Sequence, residues 1–366
     1  MEIKSLSLEN FRNYEALSLN FAGPGAPTSI VGPNAQGKTN ILEAIYLLAL
    51  TRSFRTSRQP DLIKWGNDFA RITATLKAKE EEMDLEVFIG NPPQPKRSLK
   101  KNGVKTSTYD FVGNCRIVFF HPEDLNILYL GPDLRRKYLD ILNIQISPRY
   151  YRALRSYKRI LEQRNSLLRN IRDGFSAIED LNIWDQQLTG AGAVVMSERQ
   201  KTVDFINRGI SRIYSGISGN KTDQIKVSYA SFFGDEAGLS KPAIERGFVA
   251  RLKENQSKDL QTLVTTAGPH RDDLVFELNG RRIAMHASRG EYRSLLLALK
   301  LIELEYVEAA SGEKPILLLD DVFSELDSAR REALIRGIEG CQTILTATKR
   351  HDLRGPEIQC VSEVCK

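Results

Sequence analysis

The sequence predicts an α/β fold whose parallel sheet is assembled from two distant stretches of chain, with a helical insertion between them. Three observations carry that prediction. A short apolar strand, Ser29-Ile30-Val31, runs into the loop Gly32-Pro33-Asn34-Ala35-Gln36-Gly37-Lys38-Thr39 and then into a helix with an apolar face. A second buried-strand run, Ile316 to Leu319, ends in the paired carboxylates Asp320 and Asp321. Between these two segments, residues 147 to 218 carry the spacing of two long helices.

The chain has 366 residues, 41% hydrophobic and 27% charged, enough for a sizeable core and more than one structural unit. Met1-Glu2-Ile3-Lys4 reads directly into a strand, and no charged-then-apolar leader precedes it. The longest apolar stretch, Ile41 to Leu50, contains Glu43 and is too short to span a bilayer. A soluble cytoplasmic protein without membrane contact is expected. Cys115, Cys341, Cys360 and Cys365 are scattered, and no zinc-ligand spacing occurs, so four reduced thiols are expected. The net charge of +6 permits nucleic-acid binding without requiring it.

Gly32 to Thr39 matches the phosphate-binding P-loop pattern in full. Glycines let the backbone curl so that the amides of Pro33-flanked Asn34, Ala35, Gln36 and Gly37 converge on a β-phosphate. Lys38 adds a cation, the Thr39 hydroxyl can ligate Mg²⁺, and the helix starting near Lys38, with Asn40 in its first turn, points its positive end at the same anion. Ile41, Leu42, Ile45, Leu48 and Ala49 give that helix its apolar face. ATP with Mg²⁺ is therefore the expected cofactor pair. Asp320, at the carboxyl end of a parallel strand, is the expected metal-side carboxylate, and Asp321 the group that polarises an attacking water. Lys38 and Asp320 stand roughly 280 residues apart, so an insertion divides one ATP site. The expected division is 1–140 and 261–366 for the two parts of the ATPase head, with 141–260 inserted between them.

Just before that second strand, Ser288 and Gly290 begin a long amphipathic helix with Leu295, Leu299 and Ile302 on one face. The pair is either an ordinary N-cap or a second anion-binding helix start. The phosphates of its own P-loop already occupy another helix N-terminus. A γ-phosphate shared between two chains would give the second start a ligand.

The split P-loop, the Ser-x-Gly helix start, the Leu-Leu-Leu-Asp-Asp strand and Ser324-Glu325-Leu326-Asp327 resemble the ABC-type ATPases of chromosome maintenance. Within that group the chain is most similar to the RecF family of bacterial recombination-repair ATPases. The similarity is carried by "LSLENFRNYEALSL", "TRSFRT", "HPEDLNILYLGPDLRRKYLD", "AGPHRDDL" and "DDVFSELDSARREAL", which run almost end to end. The resemblance implies an ABC-type head with a mixed sheet and an inserted helical lobe. It implies that Ser288, Gly290 and Arg293 touch the partner subunit's γ-phosphate, that Asp327 faces the dimer, and that Arg12 reaches the nucleotide. Lys38 and Asp321 would be the catalytic pair, with Thr39 and Asp320 holding the metal. Asp321 falls where many such ATPases carry Glu, and the shorter side chain suggests slow hydrolysis. Three positions depart from the pattern: Leu130 replaces a Gly, Arg289 makes the helix start more basic, and His351 does not align with the usual switch histidine.

The insertion reads as two helices folded back on each other. Leu154, Leu161 and Leu168 recur every seven residues, interleaved with Tyr157, Arg164 and Ile171. The second helix, from about Trp184 to Ile217, turns Leu188, Val195, Thr202 and Phe205 inward. A 25-residue helix reaches about 37 Å, which makes a short arm. Arg149, Arg152, Arg155 and Arg159 share one face near its base. Lys96, Arg97, Lys100 and Lys101 sit on an expected hairpin with an Asn102-Gly103 turn. Both clusters are candidate contacts to DNA phosphates, and each is alternatively a solvated face. The resemblance implies an ATP-driven homodimer that clamps duplex DNA near gaps or single-strand/duplex junctions and assists RecA loading with RecO and RecR. The competing readings are a transporter-type ATPase subunit or one acting on another protein, an SMC-like structural tether, and a nucleotide kinase. Absence of a membrane domain, the short arm and the long gap between motifs weigh against transporter, tether and kinase respectively.

Overall fold

The computed structural model describes residues 1–25, 27–92, 96–234, 240–348 and 359–361. The chain divides into two compact units, one of Met1–Leu125, Arg212–Thr222 and Ser288–Lys366, the other of Asn126–Ser211 and Asp223–Ala287.

The first unit holds two sheets. Strands β1 (Glu2–Phe11), β2 (Tyr14–Asn20), β4 (Phe69–Ala78), β5 (Glu81–Gly90), β6 (Arg97–Lys101) and β7 (Val104–Lys105) form an antiparallel sheet of order β2-β1-β4-β5-β6-β7. Its alternation is plainest in β4, where Ala70, Ile72, Ala74 and Leu76 are buried and their neighbours are not. Strands β3 (Thr28–Val31), β8 (Ile117–Phe120), β12 (Ile316–Asp320), β13 (Thr343–Ala347) and β14 (Gln359–Val361) form a parallel sheet of order β14-β3-β13-β12-β8. Strands β3 and β12 come from opposite ends of the chain, and β13 lies between them. The expected two-part sheet is therefore present.

Helix α1 (Lys38–Leu50) packs on β4 and β5 of one sheet and on β8, β12 and β13 of the other. The sequence predicted a one-faced helix, but every residue from Ile41 to Leu50 is buried. A helix covered by sheets on two sides has no solvent face, and the one charge in its buried stretch, Glu43, must find partners inside. The other long helices of this unit are α6 (Arg289–Ser311) and α7 (Ser328–Gly337).

The second unit contains α2 (Pro132–Ile146), α3 (Pro148–Arg172), most of α4 (Leu181–Ser218) and α5 (Lys241–Thr262). It also contains a small antiparallel sheet of β9 (Ile225–Ala230), β10 (Asp273–Leu278) and β11 (Arg281–Arg282). The two predicted arm helices are α3 and α4. They are not a bare hairpin, because α5 supplies a third helix: Tyr157 and Ile160 of α3, Leu188 of α4, and Phe248 and Leu252 of α5 share one core cluster. Leu154, Tyr157, Arg164, Leu168, Leu188, Val195 and Thr202 are buried as expected, whereas Leu161, Ile171 and Phe205 are only half-buried. Ile206 takes the core place next to Phe205. Arg164 is fully buried and pairs with Asp185 at 2.6 Å and Asp259 at 2.7 Å.

The predicted boundaries at 140/141 and 260/261 move to Leu125/Asn126 and Ala287/Ser288. The cause is a buried polar lattice that ties both flanking segments into the lobe. Arg135 grips the Asp273 carboxylate with two bonds of 2.6 and 2.8 Å, and Arg136 donates to the Asp272 carbonyl at 2.7 Å. Arg199 bridges Asp140 at 2.8 Å and the Pro269 carbonyl at 2.7 Å. Leu130 has no positive φ, so the loop before α2 needs no glycine there.

Candidate functional site

The P-loop joins the carboxyl end of β3 to α1. Ala35 and Gly37 take left-handed backbone, at φ 65° and 99°, which turns successive amides inward. A Cβ at Gly37 would lie 2.5 Å from the Asn13 amide nitrogen, so a side chain there would have to displace Asn13 as well as adopt an unfavourable φ. Lys38 Nζ donates to the carbonyls of Gly32 at 2.6 Å and Pro33 at 2.8 Å. An ammonium has three protons, so one remains for a phosphate. Thr39 Oγ1 donates to Asp320 Oδ1 at 2.9 Å, closing the gap between residues 281 apart in sequence. Residues 34 to 40 line a cavity of about 570 Å³ with Arg55, Pro122, Asp320, Asp321, Thr346 and Thr348.

Four of those lining residues, Arg55, Pro122, Thr346 and Thr348, were not singled out as site residues from the sequence, and two of them, Arg55 and Thr346, are tied into the site by hydrogen bonds. Arg55 donates to Asn40 Oδ1 at 2.8 Å, Asn40 donates to Asn13 Oδ1 at 2.8 Å, and Asn13 donates to the Gln36 carbonyl at 3.1 Å. This chain of amides braces the P-loop from the β1–β2 turn. "TRSFRT" marked Arg55 as part of a recurring segment, but nothing local assigns it a task. Thr346 donates to Asp320 Oδ1 at 2.7 Å and accepts the Asp321 N–H at 3.0 Å.

Arg12 is placed differently from expectation. Its guanidinium grips Glu43 at 2.8 and 2.6 Å and the Asp61 carbonyl at 2.8 Å, and it does not line the cavity. The buried Glu43 carboxylate needs that cation, and Ser53 adds a hydroxyl at 2.5 Å.

Ser288 caps α6 in a reciprocal box: its Oγ accepts the Glu291 N–H at 3.3 Å, and the Glu291 carboxylate accepts the Ser288 N–H at 2.6 Å. That backbone bond holds the Glu291 carboxyl below the usual carboxylate range. Arg330 joins this helix start to the next motif. It donates to the Gly290 carbonyl at 2.8 Å and to Ser294 Oγ at 3.0 Å, and it pairs with Asp327, the N-cap of α7. Neither Ser288, Gly290 nor Asp327 lines the P-loop cavity. Arg293 faces a separate small recess with Phe120, Leu296 and Leu326.

The two basic clusters also differ from each other. Arg149, Arg152, Arg155 and Arg159 are all exposed on α3, opposite the buried Leu154, Tyr157 and Ile160. Among the described residues, Arg149, Arg152 and Arg159 make no ion pair. The Asn102-Gly103 hairpin turn is present, with φ of 50° and 76°. Its cations are engaged within the sheet's own unit: Arg97 with the Thr51 carbonyl at 2.8 Å, Lys100 with Glu86 at 2.7 Å, and Lys101 with Asn114 at 2.7 Å. Among the described residues, Lys96 and, on the facing strand, Lys105 are exposed without such a bond. His351, Cys365 and the Cys360 side chain lie outside the described residues; Cys115 and Cys341 are buried free thiols.

A P-loop at one strand end, a carboxylate pair on another strand from the far end of the chain, and a capped helix start that does not line the cavity between them define a P-loop ATPase head of the ABC type with a helical insertion. Comparison with known proteins agrees. Residues 2–357 match the "RecF/RecN/SMC N terminal domain" family. The chain is 38% identical to the DNA replication and repair protein RecF of Lachnoclostridium phytofermentans, over 95% of this chain and 93% of that one. It is 36% identical to the protein of the same name from Enterococcus faecalis, over 95% and 92%. A solved structure of the recombination mediator protein RecF-ATPrS in the RecFOR pathway superposes with a TM-score of 0.90 at 34% identity, covering 97% of this chain and 94% of that one. The head of Smc bound to the C-winged helix domain of ScpA shares the fold alone, at 17% identity, a TM-score of 0.53, and coverage of 95% and 90%. The chain belongs to the RecF family.

Proposed function

We propose that this chain is an ATP-dependent DNA-binding protein of DNA replication and recombinational repair, and a weak ATPase whose binding role dominates. Two chains sandwich two ATP molecules, and the closed dimer grips duplex DNA near gaps or single-strand/duplex junctions. A solved relative is described as RecF-ATP in the RecFOR pathway, which supports the same nucleotide and partners of that pathway, RecO and RecR; assistance to RecA loading is the further step of the proposal. The work is cytoplasmic; no described helix is long and apolar enough to cross a membrane.

The observation that carries the dimer is the separation of Ser288, Gly290 and Asp327 from the cavity of their own P-loop. A second chain would place them over it. Mg²⁺, when bound with ATP, would supply positive charge to offset that of the phosphates. The residues fit it: Thr39 and Asp320 are hydroxyl and carboxylate within one hydrogen bond of each other. The P-loop amides and Lys38 then bind and orient the phosphates, and Asp321 holds the attacking water. Asp320 ends β12 and Asp321 follows it in left-handed backbone at φ 51°, and both line the same cavity. The exposed arginines of α3 are the proposed DNA contacts, sequence-independent and salt-sensitive. The experiment is binding of a fluorescent gapped duplex with ATP–Mg²⁺ and with ADP–Mg²⁺. Tighter binding with ATP is expected, and equal binding would refute the nucleotide-gated clamp.

A further inference from the structure

Thr346, the penultimate residue of β13, lies directly beside Asp320 in the parallel register, and it is 2% exposed. Its hydroxyl makes the two bonds already described, to Asp320 Oδ1 and from the Asp321 amide. The directions are fixed by chemistry. An amide N–H can only donate, so the hydroxyl accepts from Asp321 and spends its single proton on the carboxylate. Asp320 Oδ1 thereby receives two hydroxyl protons, from Thr39 and Thr346. Oδ2 accepts no hydrogen bond from the described residues.

The second bond acts on the neighbouring carboxylate. Asp321 sits at φ 51°, in the left-handed region that disfavours residues with a Cβ. A strained backbone persists only where its surroundings over-determine it. The Thr346 oxygen is one of the groups that does so, because it anchors the amide just before the strained Cα. One buried hydroxyl thus fixes the carboxylate orientation of Asp320 and the backbone from which the Asp321 side chain departs. Although Thr346 lines the cavity, its single proton is committed to Asp320 and one lone pair to the Asp321 amide, so it has no proton left to donate to a ligand.

We propose that Thr346 is a positioning residue for ATP hydrolysis, locking the metal-side and water-side carboxylates into one relative arrangement. The inference rests on the reading of Asp320 and Asp321 given under Proposed function. It makes no demand on ATP affinity, which the P-loop supplies. A misplacement of about 1 Å in a catalytic group costs on the order of 100-fold in rate.

The test uses the full chain with ATP–Mg²⁺ and duplex DNA, and compares Thr346→Val, Thr346→Ser and Asp321→Asn with the parent. Steady-state phosphate release gives kcat and KM, and a fluorescent ATP analogue gives affinity. Thr346→Val is expected to lower kcat by roughly 10–100-fold with affinity little changed, and Thr346→Ser to restore most of it. Should the valine variant not fold, Thr346→Ala removes the same hydroxyl without a methyl against the carboxylate. Equal losses for Val and Ser would overturn the inference, since the hydroxyl would not be the active feature. Parent-like turnover in Thr346→Val beside an inactive Asp321→Asn would overturn it while leaving the catalytic reading intact. Parent-like turnover in Asp321→Asn would remove the catalytic reading itself, and this inference with it.

Discussion

Arginine 12 offers the sharpest division between a nucleotide contact and a structural one. Its guanidinium is 17% exposed and pairs with a Glu43 carboxylate that is 0% exposed. Truncation to alanine would leave that carboxylate with the Ser53 hydroxyl and with Arg55, whose nearest nitrogen is 3.8 Å away. Removing one partner of a buried ion pair costs about 3–5 kcal/mol, chiefly because the other charge stays buried. The Arg55 cation and Ser53 hydroxyl compensate in part, so the lower end, about 3 kcal/mol, is expected for Arg12→Ala. For a unit of this size that corresponds to a fall of roughly 6–12 °C in melting temperature. Calorimetry without nucleotide measures it, and ATP titration well below the transition measures affinity separately. Adding Glu43→Gln to Arg12→Ala should recover part of the loss, because the orphaned charge disappears. A parent-like melting temperature together with a large loss of ATP affinity would refute this reasoning and return Arg12 to the nucleotide.

Lys38→Ala should weaken ATP binding by roughly 10–100-fold, the worth of a charge-assisted hydrogen bond; unchanged affinity by calorimetric titration would contradict the P-loop assignment. Ser288→Arg should bind ATP normally yet stay monomeric with it, and light scattering that found a normal ATP-dependent dimer would end the shared-site mechanism. The lobe's pH response should separate into two opposing parts: burial pushes the Asp272 carboxyl up to about 7 and the His270 imidazole down to about 4. Asp272 makes stability fall as pH rises from its unfolded value toward 7, by roughly 4 kcal/mol in all, and His270 makes it rise between about 4 and its unfolded value, by roughly 3 kcal/mol. Asp272→Asn should therefore unmask stability that climbs from pH 4 to 6.5 in urea titrations, and a variant with the parent's slope would rule this out.

What the sequence made legible, and what it hid, divides along a physical line. Gly32 to Thr39 and Asp320-Asp321 could be read because a phosphate and a metal restrict which residue types can touch them, and at what spacing. The α6 cap was legible for a related reason, since a helix start needs its own side-chain acceptor within three residues. Glu43 was not legible: its place inside a doubly covered helix is settled by Arg12, 31 residues away, through a fold the local pattern does not contain. The lobe boundary was hidden likewise, because Asp272 and Asp273 look like head residues until Arg135 and Arg136 are seen to hold them. Some signals were present without being decisive. Asn279-Gly280 has the same turn chemistry as Asn102-Gly103 and does close the β10–β11 hairpin. Ile244, Phe248 and Leu252 repeat every four residues along α5, on an otherwise polar helix. Thr346 and Arg330 belong to a further class. Neither is required by the ligand, and each is required by residues that are, so a short motif cannot contain them. A P-loop with an alanine at position 346 would still match every pattern used to find it, and on the argument above would hold ATP without turning it over efficiently.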